Sequence, residues 1–257
     1  MHFNFDFSTG QILWTLTFAA LLVLLVVLLG RDRVRRFPWF TASMALMAVR
    51  MLAARLLYHR MSMVLSEEIF LALADLGAII ALLIVVEMAR RAFAGVERKM
   101  WIAATLALLS VGAAVLALWG AWPSFKTLFV ASEESTLRLM QLFAQKVDLL
   151  ADVLNIQLGL LVVFFGRYYK GGWRSHVQRI VIGLSTASIA QLAIRGTLQH
   201  IATHVTIHSQ DQYQHIIGLM NKLDNANSMI FLVVLVWWII CLWIDEPGTK
   251  TAVVSGQ

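Results

Sequence analysis

Residues 178–209, QRIVIGLSTASIAQLAIRGTLQHIATHVTIHS, read as one long membrane helix with two different faces. At 100° per residue, one face carries a row of polar side chains and another carries three histidines. A polar row is costly against lipid, so we expect it to face protein or water. The polar row is Ser185, Ser188, Gln191, Arg195 and Gln199, and the histidines are His200, His204 and His208.

The composition of the whole chain is typical of a membrane protein. Of its 257 residues, 60% are hydrophobic and 14% are charged, whereas a soluble domain carries roughly 25% charged residues. The net charge is +6. The basic residues cluster in short segments between apolar runs, which indicates orientation in a membrane and not a nucleic-acid partner. Because Cys241 is the single cysteine, no disulfide forms within the chain.

Seven segments are long and apolar enough to cross a bilayer, which takes about 20 residues of α-helix. We therefore predict an all-α, multi-pass fold, a bundle of seven transmembrane helices that forms one domain over residues 1–257. Residues 133–146 and 211–227 keep a helical rhythm, so the fifth to seventh helices are expected to project beyond the bilayer. The predicted spans are residues 11–29, 38–57, 69–89, 100–119, 147–165, 180–199 and 228–244.

Lysine and arginine are distributed unevenly between the two sides of the predicted bundle. Thirteen lie on one side and five on the other, so the positive-inside rule predicts an external N-terminus and a cytoplasmic C-terminus. Glu87, near the inner end of the third span, is expected to pair with Arg90 or Arg91. The thirteen are Arg31, Arg33, Arg35, Arg36, Arg90, Arg91, Arg98, Lys99, Arg167, Lys170, Arg174, Arg179 and Lys250; the five are Arg60, Lys126, Arg138, Lys146 and Lys222.

A polar stripe on the fifth span is the sharpest pattern in the sequence. Its members follow one another at alternating steps of four and three residues, which holds them on one helix face for over five turns. This face is expected to look at protein or water. The stripe is Glu134, Arg138, Gln141, Gln145, Asp148, Asp152, Asn155 and Gly159.

Besides Arg55 and Glu87, which lie near span ends, five ionisable side chains lie within the predicted spans. Each costs roughly 2.5–3.5 kcal/mol near the middle of a bilayer, so we expect them to pair in a shared polar core in the outer half of the bundle. This core is interpreted as a ligand pocket; the alternative is a structural network that ties the helices together. The five are Arg50, Asp75, Asp148, Asp152 and Arg195, and the predicted ligand-binding set adds Asn155 and Gln191.

The three histidines offer an alternative site. Histidines spaced four apart on a helix can share a metal ion, so His200, His204 and His208 form a candidate zinc site. A bis-histidine haem would need His59 opposite His200 or His204. No HExxH pattern is present, and these histidines face away from Arg195. The alternative to a metal site is therefore that the three histidines lie on a helix face that contacts solvent or another protein surface. No cofactor is otherwise predicted.

Three functional hypotheses follow from the predicted pocket. The first is a sensor or binding protein in which a small polar or anionic ligand enters from outside and contacts Arg50, Asp152, Asn155 and Arg195, with a cytoplasmic or membrane partner carrying the signal. The second is a transporter of protons, ions or small solutes. The third is an enzyme, dependent on a metal or on aspartates, at the outer face; no catalytic residue is assigned. We expect the protein to lie in the cytoplasmic membrane of a bacterium and to contact the lipid bilayer. We do not expect it to bind nucleic acid.

Overall fold

The computed structural model of the protein describes residues 8–57, 63–92, 107–109, 111–112, 115, 133–165, 175–204 and 210–245. Within these residues the fold is all-helical, as predicted, and no strand is present. Six long helices are defined. They are α1 (Thr9–Gly30), α2 (Pro38–Leu57), α3 (Met63–Ala92), α4 (Glu133–Phe165), α5 (His176–His204) and α6 (Gln210–Trp243).

All six helices are long and apolar enough to cross a membrane. They correspond to the first three and the last three predicted spans. Their outward faces are apolar, as lipid contact requires: Val26, Phe164 and Val233 are 66%, 68% and 68% exposed. The chain is therefore a multi-pass membrane protein. Of the fourth predicted span, residues 107–109, 111–112 and 115 are helical, and the rest lies outside the described residues.

Five helices are longer than the predicted spans: α1 exceeds its span by three residues, and the other four exceed theirs by more. α3 begins at residue 63 and not 69, α4 at 133 and not 147, α5 covers 176–204 and not 180–199, and α6 begins at 210 and not 228. The predicted spans cover only the apolar part of each helix. For α4 and α6 the helical rhythm predicted for residues 133–146 and 211–227 is confirmed, because both segments are helical. The 34 residues of α6 measure about 51 Å at 1.5 Å per residue, against a hydrocarbon core of roughly 30 Å.

The first two helices are joined by a tight turn. The Ser8 side chain caps the start of α1 by accepting a hydrogen bond from the Gln11 amide. At the other end Asp32 adopts a left-handed backbone with φ of 51°, and the Arg33 amide donates to the Leu28 carbonyl at 2.8 Å. This arrangement satisfies carbonyls at the end of α1 and turns the chain sharply into α2.

The six helices form a closed ring in chain order, in which α6 packs against α1. One end of the ring is rich in arginine and is called here the basic end. There, Arg31 and Arg33 after α1 make ion pairs of 3.3 and 3.2 Å with Asp245 after α6, and Arg179 at the start of α5 donates to the Cys241 carbonyl. Helices α1 and α6 therefore run parallel and both end here.

Glu87 ties α3 to the start of α2 near the same end. Its carboxylate accepts hydrogen bonds from the Trp39 and Phe40 amides at 3.2 and 3.3 Å and forms an ion pair of 3.4 Å with Arg91. The predicted local pair with Arg91 is confirmed, and Glu87 also satisfies the free amides at the start of α2. Because the end of α3 meets the start of α2, α3 runs parallel to α1.

The apolar core fills the half of the ring nearest the basic end. Trp238 lies at its centre, almost fully buried, with its ring edge-on to Phe40 at a centroid distance of 5.0 Å. The remaining core side chains come from all six helices and close the bundle at this level. They include Leu21, Leu24, Leu28, Phe37, Met88, Leu158, Ile180, Leu235 and Leu242.

Candidate ligand cavity

A cavity of about 320 Å³ lies between the apolar core and the end of the bundle opposite the basic end. Every one of the six helices contributes to its wall. The exposed side chains of Arg50 and Gln191 stand at its mouth, whereas Asp152, Asn155 and Trp238 are buried at its base. The cavity therefore has a polar, open side and closes against the core.

Helix α4 carries the acidic part of the wall. Asp148, Asp152 and Asn155 face the cavity at spacings of four and three residues, as the polar stripe predicts. One turn further on, a side chain at Gly159 would collide with the Ser185 side chain of α5. Helices α4 and α5 thus pack closely just below the cavity, and the closure of the cavity depends on this glycine.

Serine side chains of α5 hold the polar stripe in place. The Ser185 hydroxyl donates to the Asn155 carbonyl at 2.6 Å. The Asn155 amide nitrogen donates to the Ser188 hydroxyl at 3.5 Å, and that hydroxyl also lies beside the Asp152 carboxylate. The orientation of the two α4 side chains is therefore set by a neighbouring helix.

Four buried polar atoms of the cavity wall have no hydrogen-bond partner among the described residues. They are Thr17 Oγ1, Asp152 Oδ2, Asn155 Oδ1 and Trp238 Nε1. Their side chains are only 6%, 9%, 7% and 1% exposed, respectively. Trp238 Nε1 packs against Gly183 of α5, so the other three residues bear on the cavity. An unsatisfied buried polar group costs about 1–3 kcal/mol, and three such residues lining one cavity indicate a place for a polar molecule or ordered water.

The expected direct pairing of charges does not occur within the described part of the chain. No ion pair within 4.0 Å joins Arg50 or Arg195 to Asp75, Asp148 or Asp152; the ion pairs there lie at the basic end. The charges still influence one another at longer range, because Asp148 experiences the fields of both arginines. The carboxylates of Asp148 and Asp152 therefore have no ion-pair partner among the described residues.

Five of the seven predicted ligand-binding residues line the cavity and two do not. Arg195 points away from it and donates to the Gln145 carbonyl at 3.3 Å. Asp75 lies against the backbone of Ala144. Both side chains therefore connect neighbouring helices at their contact seams. The five that line the cavity are Arg50, Asp148, Asp152, Asn155 and Gln191.

The cavity also includes residues that the sequence analysis missed. Thr17 is the last polar residue of α1 before an apolar run, which was a usable signal. Trp238 carried no such signal, because it lies near the middle of an apolar predicted span. Asn227, one residue before the predicted span in α6, is another lining residue of this kind.

The histidine site receives no support from the described geometry. The exposed rings of His200 and His204 stack at a centroid distance of 4.4 Å, and His204 Nδ1 lies 3.2 Å from the His200 carbonyl oxygen. His208 and His59 lie outside the described residues. Among those described, no three His, Cys, Asp or Glu side chains converge on a point that could hold a metal. The zinc and haem sites stay predictions.

A search against protein-family models finds no match, and comparisons with curated proteins and with solved structures find none either. The bundle and its cavity are the features that bear on the function of the protein. Together they define a multi-pass membrane protein with a polar cavity between its helices.

Proposed function

We propose that the bundle has seven spans, with its N-terminus outside and the basic end in the cytoplasm. The parallel directions of α3 and α4 support this topology. Helix α4 ends where α5 begins, at the basic end, and α3 ends there too, so the chain between residues 92 and 133 has to return to the opposite end. The predicted fourth span supplies that crossing. Its Gly112 lies beside α4, because an added Cβ there would be 3.0 Å from Leu150 and 3.2 Å from Leu154.

We propose that the protein binds a small ligand in the cavity and acts as a sensor or binding protein. The observation that carries this proposal is that Thr17, Asp152 and Asn155 all line one cavity and each carries a buried polar atom without a partner among the described residues. A volume of about 320 Å³ lies at the lower end of the range for small-molecule sites. The ligand enters from the outside, past Arg50 and Gln191.

A partner would carry the signal onward from the basic end. The helix ends meet there through Asp245, which binds Arg31 and Arg33, so a shift of α6 against α1 alters these exposed pairs. A membrane or cytoplasmic partner that reads this surface completes the proposed sensor in the cytoplasmic membrane of a bacterium.

The apolar core argues against the transporter alternative. A path through the bundle would have to pass Trp238, Leu158 and Ile180, each of which is at most 1% exposed. The enzyme alternative has less support, because the two carboxylates in the cavity, Asp148 and Asp152, lie on one helix without a third acidic lining residue.

Cysteine labelling tests whether the cavity opens to the outside. Cys241 is replaced by serine, and a single cysteine is introduced by Asn227→Cys. A membrane-impermeant maleimide added to intact cells should modify this cysteine. On the same helix, Val233→Cys faces lipid and Leu235→Cys lies in the core, so both should stay unmodified. If the residue 227 cysteine is modified only after the cells are broken and the reagent reaches the cytoplasmic side, the proposed external opening of the cavity is wrong.

A further inference from the structure

We propose that the ligand of this cavity is a small protonated primary or secondary amine, held by Asp152 and Asn155. This inference rests on the proposed function and specifies the ligand of the same site. It revises the polar or anionic ligand predicted from the sequence, because Arg195 turns out to face away from the cavity.

The charge of the wall favours a cation. Two carboxylates, Asp148 and Asp152, and one guanidinium, Arg50, line the cavity. Arg50 extends across Gly77, where a Cβ would lie 3.3 Å from its Nη1, and its field acts on Asp148. The field of Arg195 also reaches both carboxylates, but its guanidinium binds the Gln145 carbonyl and does not line the cavity. Asp152 is therefore a buried carboxylate without an ion-pair partner among the described residues. An anion would have to approach both carboxylates.

The unpartnered atoms favour a ligand that donates hydrogen bonds. Asp152 Oδ2 and Asn155 Oδ1 lie three residues apart on one face of α4, and both are buried without a partner among the described residues. A carboxylate and an amide oxygen accept hydrogen bonds and cannot donate them. An ammonium group with N–H bonds satisfies both atoms and neutralises the charge, whereas a quaternary ammonium supplies only the charge.

The rest of the wall suits a short apolar body attached to that ammonium. Trp238, Phe231 and Leu184 face the cavity, and Met44 and Met47 add adaptable apolar surface. A bare sodium ion would leave this part of the cavity without a contact. The small volume limits the ligand to a few heavy atoms beyond its nitrogen.

Four probes that share one ring test the inference on purified protein in lipid nanodiscs. They are benzylamine, benzyltrimethylammonium, benzyl alcohol and benzoate, each at 10 mM and at equal ionic strength. Sodium chloride and potassium chloride are tested in parallel as inorganic cations. Benzylamine should raise the midpoint of thermal unfolding by several degrees and the other probes should not. This comparison needs no variant, so it does not depend on a mutant that folds.

Two substitutions locate the binding. Asp152→Asn should weaken benzylamine binding about tenfold or more, as expected for loss of a charge-assisted hydrogen bond. The control Asp75→Asn changes an aspartate that does not line the cavity, so the affinity should stay unchanged. Equal loss in both variants would overturn the inference.

The remaining outcomes separate this inference from the proposed function. If benzoate stabilises the protein and Arg50→Ala abolishes its effect, the cavity binds ligands but not amines. Equal stabilisation by benzyltrimethylammonium, or by sodium alone, overturns the assignment to an N–H donor. If benzylamine has no effect while the residue 227 cysteine reacts from outside, the inference fails and the open cavity stands. If benzylamine has no effect and the residue 227 cysteine does not react from outside, both the inference and the proposed function fail.

Discussion

The Ser185 hydroxyl of α5 donates a 2.6 Å hydrogen bond to the backbone carbonyl of Asn155 on α4. This contact brings the two helices together directly below the cavity. It depends on Gly159, because a side chain there would occupy the position of the Ser185 side chain. The base of the cavity is thus built from a small residue on one helix and a hydroxyl on the next.

Gly159→Ala should lower the free energy of unfolding by about 1–3 kcal/mol, the usual penalty for overpacking a tight contact. The matched control is Gly196→Ala on α5, where no neighbouring atom lies within 4 Å of an added Cβ. That change should be neutral or stabilising by up to about 1 kcal/mol, because alanine favours the helix. Reversible unfolding in mild detergent measures both. Equal effects at the two glycines would contradict the packing that we describe.

Asp152→Asn should raise the free energy of unfolding by about 1 kcal/mol or more in the absence of ligand. The substitution keeps the shape of the side chain and removes a charge that is buried without an ion pair. Thermal unfolding of the ligand-free protein provides the measurement, and Asp75→Asn is the comparison. A loss of stability above 1 kcal/mol in Asp152→Asn would mean that the carboxylate belongs to a satisfied structural network.

Glu87→Ala should destabilise the protein by about 2–4 kcal/mol. The carboxylate is buried, accepts hydrogen bonds from the Trp39 and Phe40 amides and pairs with Arg91, so its removal leaves the start of α2 unsatisfied. Glu87→Gln keeps an acceptor and should lose less. Glu68→Ala, an exposed change on the same helix, should stay within about 0.5 kcal/mol of the parent protein. A small effect of Glu87→Ala in denaturant unfolding would refute this capping role.

Fusion reporters should reveal an odd number of membrane crossings. Alkaline phosphatase, which is active only when exported, should be active when fused after residue 209 and inactive after residue 174 or residue 257. A fusion after residue 132 should be active and one after residue 92 inactive, because the chain must cross the membrane between α3 and α4. The same activity at residues 92 and 132 would leave six spans and disprove the proposed topology.

The sequence predicted the helices well because their signals are local. The length of each apolar run sets which segments can cross a bilayer, and the steps of three and four residues put Asp148, Asp152 and Asn155 on one helix face. The rhythm of residues 133–146 and 211–227 also predicted that α4 and α6 extend beyond their apolar parts. The ends of α3 and α5 were less predictable, because both helices continue for several residues beyond the apolar spans.

Which residues share the cavity was decided by the tertiary structure. Gln191 and Arg195 lie one turn apart on the same face of α5, yet Gln191 lines the cavity while Arg195 binds the Gln145 carbonyl. Trp238 entered the site from an apolar run that showed no functional pattern. Periodicity specifies the face of one helix, but the rotation and depth of that helix against its neighbours follow from close contacts such as Ser185 against Gly159, and those contacts exist only once the helices have packed.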